Sequence, residues 1–167
     1  TRSSKRARGQ YFTVGNPFVL DPFTRWFNAI APKDRAIALE PFAGAGDIPQ
    51  LMRQAGHELA WSCFDLDPPP ITSLPVARRD TLASFPRGFA LGITNPPYLA
   101  RNSASRRALG WSGAHHQDVY LHALEKMLSS LSHVAAIIPE SGTGITTSAS
   151  AGSASSSSRS SSSRPRS

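Results

Sequence analysis

Apolar residues recur at helical spacing in three places along the chain and run together in five short blocks. Phe23, Trp26, Phe27 and Ile30 fall at i, i+3, i+4 and i+7 behind Asp21-Pro22, which has the form of an N-cap followed by proline at the first helical position. Ile48, Leu51, Met52 and Ala55 repeat the spacing. A third helix fits residues 118–131, with Tyr120, Leu124, Met127, Leu128 and Leu131 on one face. Of the blocks, "RAIALE" (35–40) is β-like, "ELAWSCFDL" (58–66) reads as a buried strand and "PVARRD" (75–80) as a weaker one. "FALGIT" (89–94) and "HVAAIIP" (133–139) complete five strands. Strands alternating with helices predict an α/β fold, three layers around a mainly parallel sheet. No internal repeat is visible.

Composition narrows the picture. At 167 residues the chain is about one domain long. Residues 141–167 hold 13 serines and a single large aliphatic, Ile145, too little apolar surface to offset the entropy of ordering, so this tail is expected to be disordered. The division is a basic N-terminus over 1–8, a folded domain over 9–140 and the tail. The net charge of +7 comes from the ends, where Arg2, Lys5, Arg6, Arg8, Arg159, Arg164 and Arg166 lie; residues 9–140 carry eleven basic and eleven acidic residues. A neutral folded part gives no nucleic-acid face from charge alone. Arg101, Arg106 and Arg107 form a local exception, either a solvated loop or a phosphate contact. The single cysteine, Cys63, excludes an internal disulfide and a multi-cysteine zinc site, and its apolar run marks it as a core residue. No stretch is apolar enough to span a bilayer and no signal peptide is evident, which leads to the expectation of a cytoplasmic protein.

In open parallel sheets, ligands bind where strands end, so each strand end can be asked what it carries. The first runs into "LEPFAGAGDI": Glu40 and Pro41, then Gly44 and Gly46, then a helix. Glycines there admit a close ligand or simply make a tight turn. The second ends in Asp65, nineteen residues after Gly46, an acid placed to accept from ribose hydroxyls or a solvated strand end. The third ends in Asp80, and the fourth in Asn95-Pro96-Pro97-Tyr98. Two prolines in succession stop a strand and stiffen the next few residues. Four consecutive strands bring glycines, acid, acid and Asn-Pro-Pro-Tyr to one edge, and that coincidence outweighs any single member.

With "GQYFT" at 9–13, "EPFAGAG" at 40–46 and "NPPY" at 95–98, the chain resembles the S-adenosylmethionine-dependent DNA methyltransferases that modify the amino group of adenine, over about residues 9–140. The resemblance implies a Rossmann-like methyltransferase fold and S-adenosylmethionine as cofactor. It puts Phe12 and Thr13 in the cofactor pocket, Glu40 and the adjoining Pro41 near the methionine amino group, and Gly44 and Gly46 against its backbone. Asp65 would hold the ribose hydroxyls, Leu66 would pack on the cofactor adenine and Asp80 would accept from its amino group. Asn95, Pro96, Pro97 and Tyr98 would form the catalytic motif. Val14 stands where proline is common, and Glu40 replaces the frequent aspartate.

The exocyclic nitrogen of adenine is a poor nucleophile because its lone pair is delocalised. The Asn95 side-chain oxygen and the Pro96 carbonyl are the acceptors expected to grip its two N–H groups, preset by the prolines, while Tyr98 stacks on a base rotated out of duplex DNA. The reaction needs no metal. His115 and His116, between a glycine-rich loop and a helix start, are assigned to the surface. The resemblance implies a recognition region or partner subunit after "NPPY", and a final antiparallel strand pair; the sequence offers neither, so the sheet is expected to be incomplete with its fifth strand as a bare edge. The break after "PES" (139–141) fits translation in a shifted frame or a flexible linker. Intact relatives often serve restriction-modification systems. The rival readings are a protein-glutamine or RNA-guanine methyltransferase, against which "GQYFT" speaks, and a non-catalytic cofactor-binding remnant.

Overall fold

A six-stranded sheet forms the centre of the computed structural model, which describes residues 15–97, 119–138 and 144–149. After a single 3-10 turn at Pro17–Val19, the described elements run α1 (Asp21–Ala29), β1 (Ile37–Glu40), α2 (Asp47–Gln54), β2 (Ala60–Asp65), β3 (Val76–Arg78), β4 (Leu91–Thr94), α3 (Val119–Ser130), β5 (His133–Ile138) and β6 (Gly144–Ala149). The strand order is β3-β2-β1-β4-β5-β6. The first five are parallel, with Leu39 of β1 paired to both Ser62 of β2 and Gly92 of β4, and β6 runs antiparallel to β5. An order of 3-2-1-4-5 is the Rossmann-like, doubly wound arrangement, and strand order reverses between β1 and β4. The carboxyl ends of those two strands flank the crevice that this reversal opens.

Alternation along each strand sends side chains to two separate cores. Ala38, Leu91, Ile93 and Ala135 pack against Phe23 and Phe27 of α1 and Ile48 and Met52 of α2. Leu39 and Val134 face the other way, against Met127 of α3 and Leu131 just beyond it. The middle layer is therefore covered on both sides, as the three-layer reading requires. In the first core Phe23 meets Phe18 edge-on at 4.9 Å between ring centres, and both are fully buried. Each ring contributes about 1.5–3 kcal/mol by leaving water.

The second core needs a glycine. A Cβ on Gly92 would come within 2.5 Å of Leu131 Cδ1 and 2.8 Å of Met127 Cε, both ends of flexible side chains. Gly92→Ala is therefore expected to cost about 1–3 kcal/mol through overpacking, measured by urea unfolding, with the denaturant slope unchanged.

Four details depart from the sequence reading. Asp21 is the first residue of α1 rather than its cap; extended Leu20 precedes it and no side chain caps the helix. The acid still lies in the first turn, where the helix dipole favours it. The second strand is much less covered than a buried strand, with only Cys63 fully enclosed. Its connection to β3 contains Pro68, Pro69, Pro70 and Pro75, which cannot form the helix that would have covered it, and a cleft of about 620 Å³ lies beside Trp61, Cys63 and these prolines. Helices therefore do not alternate with every strand. The buried face of α3 is Val119, His122, Ala123 and Met127, continued by Leu131, while Leu128 is 43% exposed and Tyr120 and Leu124 are half-buried. Met127 and Leu131 are inside as the spacing predicts, but the rest of the face is set by Val119, His122 and Ala123 rather than by Tyr120, Leu124 and Leu128. Finally, β5 is not a bare edge: all six residues of β6 pair with it, from Ile138↔Gly144 to His133↔Ala149. Serine and threonine can join a ladder because strand pairing uses backbone groups, which a composition argument does not count. The rest of the serine-rich tail lies outside the described residues.

Candidate functional site at the carboxyl edge of the sheet

At the end of β1, Glu40 is fully buried. Its Oε1 accepts from the Phe42 backbone N–H at 3.1 Å and from the Thr94 hydroxyl at 2.5 Å, while its Oε2 has no hydrogen-bond partner among the described residues. Burial is the main force on this carboxyl and raises its pKa from 4.5 to about 8; Asp65 and Asp47 push in the same direction, and the two hydrogen bonds oppose. The Thr94 bond also ties β1 to β4 across the switch point, one residue before Asn95.

Beyond Glu40 the chain turns sharply. Pro41 is enclosed, and its carbonyl accepts from the buried Thr81 hydroxyl at 2.9 Å. Ala43 N–H donates to the Phe64 carbonyl of β2 at 2.8 Å, and Gly44 N–H donates to Asp65 Oδ2 at the same distance. The other carboxylate oxygen of Asp65 accepts from Asp67 N–H at 2.9 Å. Asp65 thus anchors the turn. A carboxylate has roughly four acceptor sites, so two remain for an incoming hydroxyl.

Gly46 has a reason for its identity that the sequence did not show. Its φ of 88° is left-handed, and a Cβ there would lie 2.4 Å from both Leu74 Cδ2 and Ser73 Oγ. Ser73 is latched on this turn: its N–H donates to the Ala45 carbonyl and its hydroxyl to the Gly46 carbonyl, each at 2.8 Å. The proline-rich connection therefore closes over the glycine turn, and room for that connection explains Gly46 without a ligand.

Asp80 also works locally. Its Oδ1 accepts from Leu82 N–H at 3.1 Å and Ala83 N–H at 3.0 Å, capping the turn after β3. Leu66 is 39% exposed beside Asp65, as an apolar contact for a ligand requires. Asn95 and Pro97 are half-buried and Pro96 is buried, directly beyond Thr94. Phe12, Thr13, Tyr98, the three arginines at 101, 106 and 107, and His115 and His116 lie outside the described residues. Sequence reasoning missed Thr94, Ser73 and Thr81. The one available signal was Thr94 itself, a hydroxyl closing an otherwise apolar strand.

Asp47 and Asp65 give this edge a negative potential, which favours a cationic ligand and repels phosphate. Among the described residues no group of three or more His, Cys, Asp and Glu could hold a metal ion, and no helix is long and apolar enough to cross a membrane. Cys63, paired with Glu40 across the sheet, has its thiol pushed up to about 12, mainly by burial and then by Glu40. In the native protein it is expected to react with a maleimide at least tenfold more slowly than in urea, followed by mass spectrometry.

A scan against protein-family models and a search of curated proteins each return no match. Among solved structures, the chain is similar to a Listeria monocytogenes protein provisionally assigned to the class I S-adenosylmethionine-dependent methyltransferases. The identity is 15% and the TM-score 0.46, over 79% of this chain and 49% of that one. The chain thus spans about half the length of the protein it matches. Nothing about activity follows at that distance; the site's own residues have to carry it.

Proposed function

We propose that this chain is the catalytic core of a methyltransferase that uses S-adenosylmethionine and acts on the N6 amino group of adenine in DNA. The observation that carries the cofactor half is the orphaned Oε2 of buried Glu40, set at the switch point within the field of Asp47 and Asp65. A buried carboxyl oxygen without a partner is costly, and a ligand ammonium, by drawing the carboxyl into its ionised form, removes that cost. Nucleotide cofactors that bring phosphates meet three carboxyl groups here, whereas S-adenosylmethionine brings an ammonium and a sulfonium. The residues present therefore fit it. Glu40 would hold its amino group, Asp65 its ribose hydroxyls, and Leu66 and Asp80 its adenine, with Pro41, Gly44 and Gly46 forming the floor of the turn. Bound there, it supplies a methyl group activated by positive sulfur.

What the chain adds is orientation of the acceptor. The amide oxygen of Asn95 and the carbonyl of Pro96 would be the two acceptors, on a segment stiffened by its prolines and suited to a planar amine with two N–H groups. Gripping both draws electron density back onto the nitrogen and presets its line of attack. Tyr98 supplies the ring for a base rotated out of the duplex. Methyl transfer from labelled S-adenosylmethionine by the full chain tests this assignment, with adenine-containing duplex DNA, RNA and a glutamine peptide as acceptors. Label in N6-methyladenine, reduced about 100-fold or more by Asn95→Ala, is the expected result. Transfer to RNA or peptide with DNA unlabelled contradicts the choice of acceptor.

A further inference from the structure

We propose that the Glu40–Thr94 hydrogen bond links the two halves of this site, so that arrival of a ligand ammonium at Glu40 repositions Asn95 for its acceptor amine. The inference rests on the cofactor reading above and goes beyond it by assigning Thr94, which that reading leaves without a role, as a positioning residue.

The geometry is specific. Oε1 of Glu40 is already occupied by two donors, Phe42 N–H at 3.1 Å and Thr94 Oγ1 at 2.5 Å, so the proton that this buried carboxyl retains at neutral pH belongs on Oε2. That oxygen is also the one without a partner among the described residues. Among the described residues, the charged groups that act on Glu40 are Asp65 at the end of β2 and Asp47 in the first turn of α2. Both are acids and both oppose its ionisation, leaving a ligand cation to drive it. When an ammonium reaches Oε2, the carboxyl O–H bond breaks, the proton passes to solvent and the electron pair stays on the carboxylate. Negative charge then spreads over both oxygens, and the bond from Thr94 changes from neutral to charge-assisted, which shortens and stiffens it. Thr94 is the last residue of β4, buried, and followed directly by Asn95 and two prolines. Stiff backbone has little means of absorbing a shift, so it passes to the Asn95 amide. By linkage, an acceptor amine held at Asn95 must in turn favour the cofactor.

The test uses the full chain with two probes: S-adenosylhomocysteine, which carries the amino-acid moiety, and 5′-methylthioadenosine, which lacks it. Calorimetry in two buffers of different ionisation enthalpy at pH 7 reads proton release, and the side-chain amide signal of Asn95, assigned by its loss in Asn95→Ala, reads position. With S-adenosylhomocysteine the wild type is expected to release roughly one proton and to shift the Asn95 signal; methylthioadenosine should do neither. Thr94→Val should weaken S-adenosylhomocysteine binding by roughly fivefold to tenfold, because the strengthening of that bond on binding is lost, and should keep proton release at saturating ligand yet leave Asn95 unmoved; Thr94→Ser should restore both affinity and shift. An unchanged Asn95 shift in Thr94→Val overturns the link while leaving the cofactor site standing. So does wild-type binding with no shift of Asn95. A folded wild type that binds neither probe overturns the cofactor reading itself, and the link with it.

Discussion

Glu40→Gln is expected to reduce S-adenosylmethionine affinity by roughly tenfold to a hundredfold while preserving the fold and flattening the dependence of stability on pH. The affinity loss follows from removing the charge behind one charge-assisted hydrogen bond in a buried site, about 1.5–3 kcal/mol. The fold survives because glutamine has the shape of the protonated acid that Glu40 presents at neutral pH before a cation reaches it. The pH effect has a definite sign. Folded Glu40 keeps its proton up to about pH 8, whereas the unfolded chain loses it near 4.5, so between these values the native state binds more protons and stability falls as pH rises. The slope from this one group is at most about 1.4 kcal/mol per pH unit. Thermal unfolding from pH 5 to 8 should show the wild type losing stability across that window and Glu40→Gln losing clearly less. Parallel profiles for the two proteins contradict the assignment of the proton.

The second large effect is expected for Asp65→Ala, which should lower stability by about 1–3 kcal/mol and also abolish measurable cofactor binding. The carboxylate serves two backbone donors, Gly44 N–H on one oxygen and Asp67 N–H on the other, so removing it releases the glycine turn at the same time as the proposed ribose contact. Asp65→Asn separates the two roles. It keeps one acceptor oxygen for the turn, so most of the stability should return in urea titrations, while affinity for the cofactor stays low. Full recovery of both by asparagine shows that Asp65 acts only through the turn.

Much of this edge was legible from residue order because strand ends announce themselves. Glu40, Asp65 and Asn95 each follow an apolar block and Asp80 a weaker, partly basic one, and a parallel sheet brings such ends to one side. What each acid does there was not legible. Asp80 caps its own turn and Asp65 ties down Gly44, local hydrogen bonds that depend on backbone direction rather than on residue type. The same holds for Gly46, whose spacing pointed to a ligand but whose missing side chain makes room for Ser73 and Leu74. Leu128 of α3 was expected inside because its spacing puts it on one face with Leu124 and Leu131, yet the face through Val119 and Ala123 is the one that is buried. The sixth strand was invisible for a different reason: its pairing is carried by backbone, while composition reports side chains.

The central claim is that the crevice between β1 and β4 holds S-adenosylmethionine through Glu40 and Asp65. Calorimetric titration of S-adenosylmethionine into the full chain, with Asp65→Ala and Glu40→Gln alongside, tests it most directly. Saturable one-to-one binding by the wild type, weakened in Glu40→Gln and undetectable in Asp65→Ala, is the predicted result. A folded wild type that takes up no cofactor, or variants that bind it as the wild type does, would contradict the account.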